Sequence, residues 1–170
     1  MNESLRCAVV TISDRVSRNE RPDLSGQAVG DEVRKLGWAV AEKRLIADDL
    51  RGIEELLEEL ADGEQIDVIF TTGGTGCAPR DVTPEATLAV IERNVPGLAE
   101  AMRAASLQSN LHGMLSRAVT GIRRNTLIIN LPGSPSGAVE NMAVVAPALP
   151  HAVALIHASV ESEAGHQLIH

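Results

Sequence analysis

The chain has 170 residues, with 15 lysine and arginine residues against 23 aspartate and glutamate residues, which gives a formal net charge of −8. We do not expect so acidic a chain to bind nucleic-acid phosphates through a basic face, and Trp38 and Phe70, its only aromatic residues, are too few for base stacking. The length favours a single domain over residues 1–170, with a core from about 5 to 160 and a frayed C-terminal tail.

Continuous apolar runs alternate with amphipathic segments along the first half of the chain. The run at 7–12 is typical of a strand buried on both faces. There follow a polar loop at 14–24, a helix begun by Ser25 and ended by Gly37, a strand at 38–46, a helix capped by Asp49, a strand at 68–72, and a helix capped by Thr83 with Pro84 in its first turn.

The second half continues with a helix at 97–107 and two short strands at 118–123 and 126–131, joined through Arg124 and Asn125. From 136 to 159 the chain is predicted to be helical, with prolines that break or kink the helix. Strands alternating with helices predict an α/β fold, a three-layer α/β/α sandwich with a mostly parallel central sheet and a small β-hairpin.

We expect a cytoplasmic protein with no membrane partner. The first six residues carry no apolar signal segment, and the two cysteines, Cys7 and Cys77, fit a reducing compartment. The most apolar stretch, 143–156, contains prolines and is expected to be too short to span a bilayer.

Polar or glycine-rich loops follow four predicted strands, and ligands of open α/β sheets bind at the carboxyl ends of the strands. The loop at 72–76, Thr-Gly-Gly-Thr-Gly, is the most informative, because its glycines let backbone amides face an anion with no Cβ in the way. It lacks the Gly-Lys-Ser/Thr of a P-loop and the third glycine of the dinucleotide fingerprint. The loop therefore favours a phosphate cradle, with a simple tight turn as the alternative.

Two aspartates near these loops are candidates for metal binding. Asp81 is either an Asx-turn residue or a metal ligand, because a carboxylate beside a phosphate site repels the anion unless a divalent cation lies between them. Asp48 and Asp49 are similarly ambiguous, and Asp49 is the expected helix cap, which leaves Asp48 to face the cleft. Oxygen ligands suit magnesium, so we predict Mg²⁺ at Asp48 and Asp81.

Other reactive side chains give weaker signals. The histidines have no metal-ligand spacing, Cys7 is expected in the core, and Cys77 is expected to be an ordinary loop thiol. Arg15, Arg18 and Arg21 lie in the polar loop, where they either cover a polyanionic ligand or are simply solvated.

Together these motifs resemble those of the molybdenum-cofactor biosynthesis family that includes the Mog and MoaB proteins and the G domains of gephyrin-like proteins. The resemblance covers most of the chain. It rests on Ser13-Asp14-Arg15, Asp48, the segment 71–76 followed by Pro79-Arg80-Asp81-Val82-Thr83-Pro84-Glu85-Ala86, Leu115-Ser116-Arg117, and Leu131-Pro132-Gly133. The glycine loop with its Arg-Asp-Val-Thr-Pro-Glu continuation is the most specific part.

The resemblance implies a molybdopterin adenylyltransferase, which transfers AMP from Mg-ATP to the terminal phosphate of molybdopterin. It also implies that Asp48 and Asp81 are the catalytic acidic pair. The implied lining of the pterin and nucleotide site is Ser13, Asp14, Thr72, Gly73, Gly74, Thr75, Gly76, Arg80, Pro132, Gly133 and Ser134.

The same resemblance implies a homotrimer and handover of pterin to other molybdenum-cofactor enzymes. One alternative is a non-catalytic carrier of the MoaB type that binds molybdopterin through the same loops. Another is molybdenum insertion, an activity of related domains in longer chains. The segment 129–135, Ile-Asn-Leu-Pro-Gly-Ser-Pro, favours the adenylylating branch.

Overall fold

A computed structural model describes residues 4–63 and 65–157. The strands are β1 (Arg6–Ile12), β2 (Ala39–Ile46), β3 (Val68–Thr72), β4 (Arg93–Asn94), β5 (Thr120–Arg123) and β6 (Thr126–Leu131). The helices are α1 (Asp14–Ser17), α2 (Leu24–Lys35), α3 (Leu50–Asp62), α4 (Thr83–Val90), α5 (Pro96–Leu107), α6 (Pro135–Val145) and α7 (Leu149–Ile156), with 3-10 turns at Leu111–Leu115 and Ala146–Ala148.

The strands form one six-stranded sheet in the order β2-β1-β3-β6-β5-β4. The first four strands of this order are parallel neighbours, whereas β5 pairs antiparallel with both β6 and β4. The β5–β6 pair is the predicted hairpin. The strand β4 was not predicted from the sequence. Both of its residues are exposed, so no apolar pattern marks it, and it is defined only by its pairing with β5. The predicted mostly parallel sheet is confirmed.

Two hydrophobic clusters cover opposite faces of the sheet. Cys7 and Val9 of β1 pack in the cluster that includes α2, α5, α6 and α7, whereas Ala8 and Val10 pack in the cluster that includes α3 and α4. Successive side chains of a strand point to opposite faces, so burial of both faces requires the continuous apolar run of β1. Burial also raises the pKa of the Cys7 thiol to about 12, which keeps it protonated. The three-layer α/β/α sandwich is confirmed.

The beginning of α2 differs from the prediction. The side chain of Asp23, not that of Ser25, caps this helix by accepting a hydrogen bond of 2.9 Å from the Gly26 amide. Asp23 also accepts the hydroxyl of Thr11 from β1, which holds the carboxylate at the cap position. The predicted polar loop at 14–24 is likewise partly helical, because the Ser13 side chain caps the short helix α1.

The helix α3 begins as predicted. Asp49 is its cap and accepts a 2.8 Å hydrogen bond from the Gly52 amide. Ile53, Leu57 and Leu60 are buried on its inner face. Because Asp49 is used in the cap, Asp48 is the aspartate left for other contacts.

The helical run at the C-terminal side begins one residue before the predicted start at 136. From Pro135 to Ile156 it covers 22 residues, with a mean hydropathy of 1.5 over an 18-residue window, which is long and apolar enough to cross a membrane by length and composition. The most apolar stretch, 143–156, is only part of this run, and the 3-10 turn at Ala146–Ala148 separates α6 from α7, which is the break that the prolines predicted. Met142 and Leu149 are fully buried in the cluster that packs on the sheet, and 33% of the apolar 18-residue window is buried. Residues 158–159 of the predicted helix and the predicted frayed tail lie outside the described residues.

Replacing Asp49 with alanine should lower the free energy of unfolding by about 1 kcal/mol, because the Gly52 amide loses its cap acceptor. Urea denaturation measures this change. Asp49→Asn, which keeps a side-chain oxygen, should cost much less. Equal losses in the two variants would contradict the cap assignment.

Candidate functional site

The order of the strands reverses between β1 and β3. The chain leaves β1 for β2 on one side and returns to β3 on the other, and ligand crevices form at such a point beyond the carboxyl ends of the strands. The register pairs Ile12 with Ile46, and Thr72 with both Thr11 and Leu131, so these ends lie at one edge of the sheet. The loops that follow β1, β2, β3 and β6 therefore meet there.

The backbone at Gly73 approaches the end of β1 very closely. Its φ is +105°, and a Cβ built there would lie 2.2 Å from the carbonyl oxygen of Ile12. Only glycine permits both this dihedral angle and this approach. The glycine loop, residues 72–76, thereby lies directly against the switch point.

The four carbonyl groups of residues 73–76 in the glycine loop accept hydrogen bonds from Thr83 or Arg117. Thr83 contacts the first two, through a 3.0 Å hydrogen bond from its hydroxyl to Gly73 and a 3.1 Å bond from its amide to Gly74. Arg117 contacts the next two, through a 2.9 Å bond from its amide to Thr75 and a 2.7 Å bond from Nε to Gly76. The prediction that Thr83 caps α4 was therefore wrong, because its hydroxyl is used by the glycine loop and α4 has no side-chain cap.

This anchoring decides where the amides of the loop point. In a planar peptide unit the N–H lies opposite the preceding C=O, so the four amides from Gly74 to Cys77 face away from Thr83 and Arg117. Within residues 4–63 and 65–157, none of these four amides has a hydrogen-bond acceptor. Successive unpaired amides in a turn form a concave anion-binding surface.

Two carboxylates lie against the glycine loop. A Cβ placed on Gly74 would be 3.0 Å from Oδ1 of Asp48, and one on Gly76 would be 2.9 Å from Oδ2 of Asp81. Asp81 also accepts a 2.9 Å hydrogen bond from the Ala78 amide through Oδ2, as in the Asx-turn alternative. Its Oδ1 has no hydrogen-bond partner in the described part of the chain, so the turn and a ligand role are compatible.

Asp48 and Asp14 are joined by two hydrogen bonds, each from the backbone amide of one residue to the carboxylate of the other. The Asp14 amide donates to Oδ2 of Asp48 at 2.9 Å, and the Asp48 amide donates to Oδ1 of Asp14 at 3.1 Å. Arg80 forms a bidentate pair with Asp14 at 2.7 and 2.8 Å. The side-chain hydrogen bond from Arg80 lowers the pKa of Asp14, whereas burial, followed by the charges of Asp14 and Asp81, raises the pKa of Asp48.

Two clefts lie on either side of Gly74 in the glycine loop. The carboxylate cleft, about 890 Å³, is lined by Asp14, Asp48 and Asp81 together with Ser13 and the three arginines of the 14–24 segment, Arg15, Arg18 and Arg21. The hydroxyl cleft, about 490 Å³, is lined by Ser106, Ser109, Asn110, Glu140 and Asn141 with Thr75, Gly76 and Pro132. Gly74, Asp81, Gly133 and Ser134 line both. A molecule in each cleft would meet the other at this shared wall.

Two predicted lining residues lie elsewhere. The buried hydroxyl of Thr72 donates to the Pro132 carbonyl at 2.7 Å and so joins the loops after β3 and β6. Arg80 is paired with Asp14 on the surface, where 66% of its side chain is exposed. Neither is among the described residues that line the two clefts.

The polar wall of the hydroxyl cleft and the anchoring role of Arg117 were not found from sequence. Buried Asn141 donates to Ser106 at 3.1 Å and to the Gly137 carbonyl at 2.9 Å, and this pair joins α5 to α6. These residues lie on helices whose polar positions look like ordinary solvated faces. Arg117 belongs to a motif that the family resemblance used, but nothing local indicates its distant acceptors.

Comparisons with known proteins find relatives over most of the chain. A family model described as a probable molybdopterin binding domain matches residues 8–151. A molybdopterin adenylyltransferase of Helicobacter pylori J99 is 40% identical over 156 residues, covering 91% of this chain and 89% of that protein. Gephyrin of Dictyostelium discoideum is 38% identical over 164 residues, covering 91% of this chain and 23% of that protein. The crystal structure of MoaB from Thermus thermophilus superposes with a TM-score of 0.86 at 44% identity, covering 91% of this chain and 98% of that one.

The opposite pKa shifts of Asp48 and Asp14 predict opposite effects of their amide variants on stability. Folded Asp48 keeps its proton above the ordinary pKa of 3.8, so its contribution to stability is lost as the pH rises through its folded pKa. Folded Asp14 ionises below 3.8, so its contribution is present at neutral pH and lost on acidification. Urea unfolding should therefore show Asp48→Asn gaining stability over the parent chain as the pH rises from about 4 to 7, and Asp14→Asn losing stability against the parent chain as the pH rises from about 2 to 5. A destabilised Asp48→Asn variant at pH 7 would contradict this assignment.

Proposed function

This chain belongs to the molybdopterin-binding domain family, and from that membership and the geometry of its clefts we propose that it is a molybdopterin adenylyltransferase of molybdenum-cofactor biosynthesis. The proposed substrates are ATP and molybdopterin. An oxygen of the terminal phosphate of molybdopterin attacks the α-phosphorus of ATP. The bond between the α-phosphorus and the oxygen that bridges to the β-phosphorus breaks, and pyrophosphate leaves with the electron pair.

The observation that carries this proposal is the shared wall of two clefts. The wall consists of Gly74, Asp81, Gly133 and Ser134. Beside it, the unpaired amides of residues 75–77 line the hydroxyl cleft and Asp48 lines the carboxylate cleft. Transfer between two phosphates needs little covalent chemistry from a protein, and depends on alignment of the reacting groups and neutralisation of charge. A site that presents anion-binding amides between two cavities suits that task.

The donor set fits magnesium held jointly by protein and substrate. Among the described residues, no group of three or more His, Cys, Asp or Glu side chains is arranged to hold a metal ion. Magnesium is commonly bound by one or two carboxylates with phosphate oxygens and water as the other ligands. Oδ1 of Asp48 and Oδ1 of Asp81 would hold it, and when bound it neutralises phosphate charge.

The chain's own residues then have distinct roles. The loop amides from Gly74 to Cys77 bind phosphate oxygens and hold the reacting phosphorus against the shared wall. Ser13, Asp14, Gly133 and Ser134 form the rim of the carboxylate cleft, where the polyphosphate of ATP would lie. The arginines of the 14–24 segment offset the charge of that polyanion on an otherwise acidic protein.

Several finer statements belong to the same proposal. We propose that the chain forms one domain over residues 1–170, acts as a homotrimer in the cytoplasm and passes its product to other molybdenum-cofactor enzymes. The similarity to a molybdopterin adenylyltransferase and to a MoaB enzyme of molybdopterin biosynthesis supports the place of the chain in that biosynthesis. The net charge of −8 argues against a nucleic-acid partner, and burial of Met142 and Leu149 argues against membrane insertion of the long helical run.

The decisive experiment is incubation of the purified protein with ATP, magnesium and molybdopterin, followed by mass detection of adenylylated pterin. Pyrophosphate should be released only when all three are present. Pterin binding without ATP binding in calorimetry would instead support the non-catalytic carrier. Absence of the adenylylated product with a fully folded protein would refute the proposal.

Replacing Asp48 or Asp81 with asparagine should lower adenylyl transfer at least about 100-fold, because each variant removes one negative charge from the expected metal site. Single-turnover product formation measures the loss, and circular dichroism checks that the variants are folded. Asp49→Asn is the matched control, since Asp49 caps α3 and lines neither cleft. Full activity of the Asp48 and Asp81 variants would disprove their roles.

A further inference from the structure

Arg117 is not among the described residues that line the two clefts, but it contacts two of the three segments that form their shared wall. Nε donates to the Gly76 carbonyl at 2.7 Å, and Nη2 donates to the Asp81 carbonyl at 2.6 Å. Nη1 pairs with Glu85 in the first turn of α4. One planar group thus joins the glycine loop, the Asp81 segment and the beginning of α4.

The geometry of these contacts requires a guanidinium. Its N–H groups diverge in one plane from a rigid fork, so three acceptors on different segments can be bound at fixed relative positions. A lysine ammonium on the same backbone is a single point with a flexible stem and cannot hold the three acceptors in one plane. Arginine is therefore needed for the relative placement of the segments rather than for its charge alone.

The contacts connect two parts of the proposed chemistry. Holding the Gly76 carbonyl directs the Cys77 amide of the same peptide unit away from Arg117, toward the anion. Holding the Asp81 carbonyl fixes the backbone that carries the Asp81 carboxylate beside Gly76. Displacement of either segment alters the separation between the anion-binding amides and the carboxylate.

We infer that Arg117 is a positioning residue that sets the distance between the anion-binding amides of the glycine loop and the carboxylate of Asp81. The inference deepens the proposed function and rests on it for the catalytic consequence, but the anion-binding consequence can be measured alone. Arg117 does not line either cleft, so it acts through the groups that it holds.

The first test measures binding of pyrophosphate, with magnesium chloride present, by isothermal titration calorimetry. Arg117→Lys should weaken binding about tenfold while leaving the stoichiometry unchanged, because the amides are present but misplaced. In the transfer reaction, the same variant should lose about 100-fold in kcat with a smaller change in the KM for ATP. Loss of folded protein would lower the stoichiometry instead, so the two effects are distinguishable.

The second test is chemical rescue. Arg117→Ala opens a space beside Gly76 and Asp81, and added guanidinium ion at millimolar concentration should restore part of the pyrophosphate affinity. Methylammonium, which has the charge but not the fork, should restore less. If Arg117→Ala does not fold, the lysine variant alone decides the outcome.

Arg123→Lys is the matched control. Arg123 also binds a carboxylate and a carbonyl, through bonds of 2.8 Å to each oxygen of Asp62 and 3.0 Å to Val90, but at the opposite edge of the sheet. It should change stability without changing pyrophosphate affinity or kcat. Pyrophosphate binding by Arg117→Lys that equals the parent's, or no binding by the parent chain, would overturn the inference. Weakened binding with no transfer by the parent chain would refute the proposed function and uphold the inference.

Discussion

The contact of Gly73 with the carbonyl of Ile12 is the constraint on which the site depends. It lets β3 end directly against β1, so the glycine loop begins at the switch point of the sheet. A side chain at this position would push the loop outward by the bulk of at least one methyl group, and the loop would then lose its contacts with Thr83 and Arg117. The orientation of the unpaired amides thus depends on the close approach of Gly73 to Ile12.

The aspartates of the site have different pKa values because their local environments differ. Asp14 is paired with an arginine and Asp48 is half-buried beside two other carboxylates, so their pKa values move in opposite directions although the backbone amide of each donates to the carboxylate of the other. A cation next to Asp48 would relieve the unfavourable charge that burial creates. The part of the cleft nearest Gly74 therefore favours binding of a positively charged ligand.

Local patterns predicted the features that local physics determines. The apolar run of β1 reflects burial of both faces, and Asp49 precedes an apolar stripe whose first turn needs a cap. Predictions failed where a distant group competes. Asp23 is held as a cap by Thr11 of β1, and the Thr83 hydroxyl is taken by Gly73, so neither choice is visible in its own segment. The acceptors of Arg117 lie about 30 to 40 residues away, beyond any periodicity.

The two borders of the sheet differ from its interior in a way that bears on how copies of the chain can meet. At one border β4 has only two residues, and at the other β2 carries Glu42, Lys43 and Arg44 in its middle. Short or charged outer strands disfavour the addition of a further strand from another molecule. Extension of the sheet from copy to copy is thereby discouraged, and helix and loop surfaces are left as the route to assembly.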